Sequence, residues 1–190
     1  MTDAAPKKEQ RRKFQAIRGT RDLLPPDTEL WNHVEETARS VFGTFGFGEI
    51  RPPIFESTDL FARAVGGETD IVSKEMYTFA ASPESTAEES QNEMISLRPE
   101  ATASVCRAYI EHNMQQLPQP VKLYYTGPMF RRERPQKGRY RQFYQIGAEV
   151  LENVKPDPTR DAAKELAKDA ITDAEVIQMV MTFFDKLKLP

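Results

Sequence analysis

The chain has 190 residues, of which 29% are charged and 39% hydrophobic, with a formal net charge of −3 at pH 7. That length supports one domain with a real core. No apolar run approaches the length that crosses a bilayer, and the polar Met1–Lys13 has no apolar signal-peptide stretch, so no membrane role is expected. The single cysteine, Cys106, excludes an internal disulfide framework and fits a reducing cytoplasm.

In chain order, residues 1–13 read as a flexible N-terminus and residues 14–190 as the domain. Phe14–Leu24 is a short ordered lead-in containing Arg18-Gly19-Thr20-Arg21-Asp22. A first helix starts at Pro25–Asp27, because proline suits the first turn. Its apolar stripe is Leu30, Val34, Ala38, Val41, Phe42 and Phe45, and Gly43, Gly46 and Gly48 punctuate its end. Glu49–Arg51 begins a strand that Pro52-Pro53 breaks, and Ser57 or Thr58 caps a short helix through Val65. Strands are expected at Glu75–Ala80 and Met94–Arg98, with Ala81–Glu93 between them as a solvent loop.

A second helix is expected from about Glu100 to Asn113, with Val105, Cys106, Tyr109 and Ile110 on its apolar side, which makes Cys106 a packed thiol. His33 and His112 have no Cys or His partner at ligand spacing, so no structural zinc site is expected. Asn153–Thr159 reads as a linker and Asp161–Ala170 as a polar helix. Thr172-Asp173-Ala174-Glu175 is a capping-box pattern opening a last helix with Ile177, Val180, Met181 and Phe184 on one face. Helices mixed with hairpin-forming strands predict an α+β fold with an antiparallel sheet flanked by helices.

The segment between the second helix and the linker is the richest in chemistry. Val121–Arg134 and Tyr140–Leu151 flank a turn at Pro135–Arg139 and read as one β-hairpin. Alternation places Arg141, Phe143, Gln145, Gly147 and Glu149 on one face of the return strand, and puts Arg131 and Glu133 together on the outgoing strand. Tyr140, Gln142, Tyr144, Ile146, Ala148 and Val150 take the other face, expected to be largely core. The first face is a poor core but a good floor for a polyanion with a flat base and a small polar co-substrate. From Arg131 to Arg141 six cations stand against one acid, on a chain that is acidic overall. Such a focus argues for one phosphate-rich site rather than general nucleic-acid coating.

Three stretches carry a family resemblance: Arg98-Pro-Glu-Ala-Thr, Gly127-Pro-Met-Phe-Arg-Arg-Glu-Arg-Pro-Gln-Lys-Gly-Arg-Tyr-Arg-Gln-Phe, and Gln145-Ile-Gly-Ala-Glu-Val. Together they resemble histidyl-tRNA synthetase, a class II aminoacyl-tRNA synthetase. Arg18-Gly-Thr-Arg-Asp is similar to that family's opening, Glu49-Ile-Arg-Pro-Pro-Ile-Phe-Glu to the class's first motif with Pro53 as its proline, and Asp70-Ile-Val-Ser-Lys-Glu-Met-Tyr-Thr-Phe to the strand before the histidine-binding loop. The resemblance is dense over about Phe14–Leu151 and weak over Asp173–Leu189.

The resemblance implies a class II catalytic-domain fold, truncated, and ATP-dependent activation of histidine followed by transfer to its tRNA. By the same resemblance Arg131 holds the α-phosphate, Glu133 contacts the adenine side, and Phe143 stacks on the base. Glu100 and Thr102 take the amino acid's ammonium group, Gln145 assists, and Glu149 pairs with the imidazole, with Gly147 leaving room for the ligand. Mg²⁺ accompanies the phosphates, and a homodimer forms through the Pro53 region. Ala101 and Pro52 are mild departures from the family pattern, and residues 154–171 resemble an insertion. A second histidine motif, the class's third motif and an anticodon-binding domain are expected of a complete enzyme and are absent from these 190 residues, so the chain is expected to carry part of an active site. Two other readings stand beside this one. The regulatory subunit of ATP phosphoribosyltransferase shares the domain and senses histidine; a small RNA-binding module would use the basic hairpin alone but leaves Glu100, Gln145 and Glu149 unexplained.

Overall fold

A computed structural model describes residues 14–66, 75–80, 94–134, 136–153 and 162–189. The expected flexible N-terminus, the 81–93 loop, the first part of the histidine-loop strand match and most of the 153–159 linker lie outside the described residues.

The first helix, α1, spans Asp27–Thr44, with Asp27 and Glu29 in the turn where the positive end of the helix dipole favours acids. It closes on a left-handed Gly46 (φ 79°), from which Gly46 N–H reaches Gly43 O and Phe47 N–H reaches Phe42 O, both at 3.1 Å. That closure folds Phe47 back onto Phe42, whose rings sit 6.3 Å apart. The chain then runs through β1 (Gly48–Glu49), β2 (Phe55–Ser57), α2 (Thr58–Val65), β3 (Tyr77–Ala80), β4 (Met94–Leu97), α3 (Thr102–Glu111), a 3-10 turn at Met114–Gln116, β5 (Val121–Phe130), β6 (Gln142–Leu151) and α4 (Ala162–Lys186).

Two three-stranded sheets result, ordered β1-β5-β6 and β2-β4-β3. Three of the four pairings are antiparallel, as expected; β1 joins β5 in parallel through Gly48↔Leu123 and Glu49↔Tyr124. The β5–β6 hairpin runs unbroken from Val121↔Leu151 to Phe130↔Gln142. Its strands are shorter than the sequence suggests because the lead-in caps the ladder: the amides of Arg141 and Gln142 donate to Gly19 O at 2.7 and 3.3 Å. The turn is the one expected, with Arg139 N–H on Gln136 O at 2.9 Å and Gly138 at φ 82°.

Helices cover both hairpin faces. On one side Ile146, Ala148 and Val150 pack on a core of Ala38, Val41, Phe42 and Phe47 together with Tyr124, Met179 and Phe183. Phe42 meets the rings of Tyr124 and Phe183 at 5.5 and 5.8 Å, and burying each such side chain contributes about 1.5–3 kcal/mol. On the other side Tyr125 and Met129 bury against Ala101 and Val105 of the α3 region, with Leu123, Phe143 and Leu151 alongside.

Three expectations are corrected here. The polar helix and the capped last helix are one, α4, because no glycine or proline interrupts residues 162–186; Thr172 lies inside it and caps nothing. The buried edge of α4 is Met179 and Phe183, flanked by Val176, while Ile177, Met181 and Phe184 are exposed. The second helix begins at Thr102, so Glu100 precedes it rather than sitting in its first turn.

Candidate active site

The site is assembled where β5–β6 meets the start of α3. Directly opposed residues on an antiparallel pair share a face. The register therefore sets Leu123 with Glu149, Tyr125 with Gly147, Gly127 with Gln145 and Met129 with Phe143 on the α3 side. Phe143, Gln145, Gly147 and Glu149 of the return strand are all brought to this side.

Glu100 closes the N-terminus of α3. Its Oε2 accepts from Thr102 N–H at 2.6 Å and its Oε1 from Ala103 N–H at 3.1 Å, because a carboxylate satisfies the amides a helix leaves unpaired there. The Thr102 hydroxyl in turn donates to Glu149 Oε1 at 2.7 Å. Two carboxylates are thus tied through one threonine across the helix–strand junction. Gln145 lies on the same face, and its Oε1 is buried with no hydrogen-bond partner among the described residues. A cationic ligand with several N–H donors suits that set of acceptors.

Arg131 stands one residue away from this cluster in space. Its Nε donates to the carbonyl of Pro99, the residue before Glu100, at 3.2 Å, and its guanidinium lies 5.2 Å from the centroid of the Phe143 ring. Its main-chain amide holds Arg141 O at 2.9 Å, so the strand ends carry it rigidly. Glu133 is placed differently. Its carboxylate pairs with Arg139 at 3.1 Å across the turn, and its carbonyl accepts from Arg141 Nε at 3.3 Å. It thereby braces the hairpin tip.

Two residues of the site escaped the sequence reading. Tyr125 lies at its centre, 7% exposed. Burial pushes its pKa up, and the charge of Glu149 adds to the rise. Its ring fills the space over Gly147: a Cβ there would lie 2.8 Å from Tyr125 Cε2 and closer still to Cζ and the hydroxyl. The glycine gap assigned to the ligand is therefore occupied by tyrosine. The face is also a better core than expected, since Tyr125, Met129 and Phe143 pack beneath the site. The signal available was the hairpin register, which sets an aromatic residue opposite the glycine.

The second is Arg98, 4% exposed. Its guanidinium donates to the carbonyls of Pro128 at 3.0 Å, Pro52 at 2.9 Å and Pro53 at 3.4 Å, and burial lowers its pKa. Its main chain links β4 to both sheets: Arg98 N–H reaches Ile54 O at 2.9 Å, and Arg98 O receives Phe130 N–H at 3.0 Å. Gly127 permits this, because a Cβ would lie 2.6 Å from Arg98 Nη2.

Cys106, expected as a packed thiol, is instead only half-buried. Burial raises its pKa, and Glu149 and Glu100 add to the rise. It lines a cavity of about 1000 Å³ between α2 and α3, whose Glu100 and Thr102 end adjoins the site and whose floor is Leu60, Ala103 and Ile110. Among the described residues no group of three or more His, Cys, Asp or Glu could hold a metal ion, and no helix is long and apolar enough to cross a membrane.

A family model described as histidyl-tRNA synthetase matches residues 19–185. The chain belongs to the histidyl-tRNA synthetase family. A histidine–tRNA ligase of Koribacter versatilis is 57% identical over 176 residues, covering 93% of this chain and 37% of that protein. One from Solibacter usitatus is 55% identical over 168 residues, covering 88% and 35%. The chain thus spans little more than a third of the length of these relatives. The apo histidyl-tRNA synthetase of S. aureus superposes with a TM-score of 0.65 at 40% identity, over 91% of this chain and 34% of that one. A Bacillus halodurans structure titled ATP phosphoribosyltransferase regulatory subunit/histidyl-tRNA synthetase shares the fold, with a TM-score of 0.67 at 18% identity. The α+β fold expected for this family is the one observed.

Proposed function

We propose that this chain supplies part of the site of a cytoplasmic histidine–tRNA ligase, which activates histidine with ATP and passes it to histidine tRNA. The observation that carries the reading is the Glu149–Thr102–Glu100 chain of acceptors beside Arg131. Adenylation joins an amino-acid carboxylate to the α-phosphorus while pyrophosphate leaves, so two anions must meet. A guanidinium fixes phosphate geometry better than an ammonium, and Arg131 is steadied for that by Pro99 O and the Phe143 ring. Positioning and charge then do most of the work, with no covalent protein nucleophile.

Glu149 accepts an imidazole N–H and so rejects a phenyl side chain, which would leave the carboxylate unpaired. Glu100 and Thr102 receive the ammonium group, each through lone pairs their mutual bonds leave open, and Gln145 Oε1 contributes an acceptor. Phe143 supplies the ring for the base, and Glu133, by bracing Arg139, holds the turn against the adenine side. Mg²⁺ would accompany the ATP phosphates, whose charge it would offset. The high identity to proteins named histidine–tRNA ligase supports this reading over the regulatory paralogue.

The active protein is a homodimer. In the β2-β4-β3 sheet, Phe55, Leu97 and Tyr77 are aligned, as are Ser57, Ile95 and Phe79, all on the face away from Glu56, Ser96 and Thr78. Phe55 and Phe79 are exposed there, next to exposed Pro53 and Ile54, and a second copy would cover them. The experiment is histidine-dependent ATP–pyrophosphate exchange by the protein that carries this chain. Arg131→Ala lowers it about 10²–10³-fold at any histidine concentration. Glu149→Ala abolishes it. Normal exchange in Glu149→Ala, or rescue of Arg131→Ala by saturating histidine, refutes the assignment.

A further inference from the structure

The far face of the hairpin carries a feature that the proposed chemistry leaves unused. Ile146, Ala148 and Val150 of that face enter the core, whereas Tyr140 and Tyr144, next along the same strand edge, each remain 40% exposed. They line a cavity of about 200 Å³ with Arg21, Leu23, Trp31 of α1, Gln142 and Phe143. Trp31 meets Tyr144 edge to face, with ring centroids 4.8 Å apart, and the Arg21 guanidinium lies 5.1 Å over the Tyr140 ring. Aromatics present only to pin the lead-in would be buried more completely than these two tyrosines.

Charge decides what the cavity takes. Gly19 O binds the amides of Arg141 and Gln142, and Arg141 Nη1 binds Arg18 O, so the lead-in and the basic turn form one surface. Segments 18–21 and 137–141 together bring five cations, Arg18, Arg21, Lys137, Arg139 and Arg141, and no acid. Of these, Arg139 is partly neutralised by Glu133. Part-exposed rings with a stacked guanidinium beside a positive surface match the way single-stranded nucleic acid is held: phosphates on the cations, a base on the rings. Gln142 adds an amide for a base edge.

We propose that the Arg21–Trp31–Tyr140–Tyr144 cavity is a stacking subsite for one unpaired nucleotide of an RNA strand that crosses the basic turn. The proposal rests on the reading of this chain as part of a tRNA-charging protein, in which the RNA would reach the hairpin from its far side. Phe143, the ring proposed for the ATP base, also borders this cavity, so the RNA contact lies beside the ATP site.

Trp31 is the single tryptophan of the chain, so its fluorescence reports on the cavity directly. The chain is titrated with a short oligoadenylate and with an abasic oligonucleotide of equal length, with circular dichroism as the check on folding. The expected result is quenching by oligoadenylate only. Tyr140→Leu and Arg21→Gln weaken that binding about five- to hundred-fold, the range for one lost base–aromatic stack, and Tyr140→Phe retains it. Equal binding of the abasic strand, or unchanged affinity in both Tyr140→Leu and Arg21→Gln, overturns the subsite. In the protein that carries the chain, Tyr140→Leu leaves histidine-dependent pyrophosphate exchange intact and raises the KM for tRNA. Normal exchange with an unchanged KM sinks the subsite alone, whereas a wild-type protein without exchange sinks the ligase reading beneath it.

Discussion

Gly147→Ala tests the packing at the centre of the site. The added methyl would enter the Tyr125 ring, with 2.8 Å to Cε2 and less to Cζ and the hydroxyl, distances no real Cβ tolerates. The ring cannot step aside freely: it is 7% exposed and packs against Ala101, Val105 and Met129. Overpacking a filled core costs about 1–3 kcal/mol, and complete loss of an aromatic side chain's contacts costs about 3–5 kcal/mol. The expected destabilisation lies between, at about 2–3 kcal/mol, or a fall in Tm of roughly 4–12 °C for a chain of this size.

The assay is urea unfolding in a double-mutant cycle. Tyr125→Leu removes the ring atoms that collide and is destabilising by itself, but in its presence Gly147→Ala becomes nearly harmless, giving a coupling of at least about 1 kcal/mol. Tyr125→Phe retains Cζ and Cε2 and gives little relief. Additive costs would refute the contact. So would a Gly147→Ala variant of normal stability that binds histidine poorly, since that would return the gap to the ligand.

Two further outcomes follow from buried or paired charges. Arg98→Lys loses about 2–4 kcal/mol by urea unfolding, because a compact ammonium cannot span the Pro52 and Pro128 carbonyls that the guanidinium bridges; a loss under about 0.5 kcal/mol would count against it. The Arg51 hydrogen bond, aided by the charges of Arg39 and Arg51, holds the Glu49 carboxyl below its ordinary pKa despite partial burial. A depressed carboxylate stabilises the fold above its unfolded pKa and loses that contribution as pH falls through the folded one. The Tm gap between wild type and Glu49→Gln is therefore constant from pH 7 to about 5 and closes toward about pH 3; a gap that survives at the acid end would refute the pairing.

The face of each β6 residue was legible because alternation depends only on the strand, and Phe143, Gln145, Gly147 and Glu149 all fall on the side foreseen. What each touches was not, because contact depends on partners distant in sequence. Glu133 lies two residues beyond Arg131, both past the end of β5, yet Arg139 draws it to the turn, a pairing that only the closed hairpin sets. The α4 face failed for a related reason. Ile177, Met181 and Phe184 are a valid helical stripe, and so are Val176, Met179 and Phe183; composition cannot choose between them, whereas the position of Phe42 does. Arg98 was read as part of a motif and not as a core residue because a lone arginine is rarely buried.

The burial of Arg98 is what makes the site one object. A guanidinium out of water with no carboxylate paired to it among the described residues is costly unless its donors are used. Here three prolyl carbonyls use them, from two parts of the architecture: Pro52 and Pro53 on the break before the exposed sheet face, and Pro128 on the hairpin. Arg98 is also one residue from Pro99, whose carbonyl holds Arg131, and two from Glu100, which caps α3. A displacement of the Pro52–Pro53 break would therefore be felt within two residues at both the phosphate arginine and the ammonium-binding acid, which gives the proposed dimer face a short mechanical path to the chemistry.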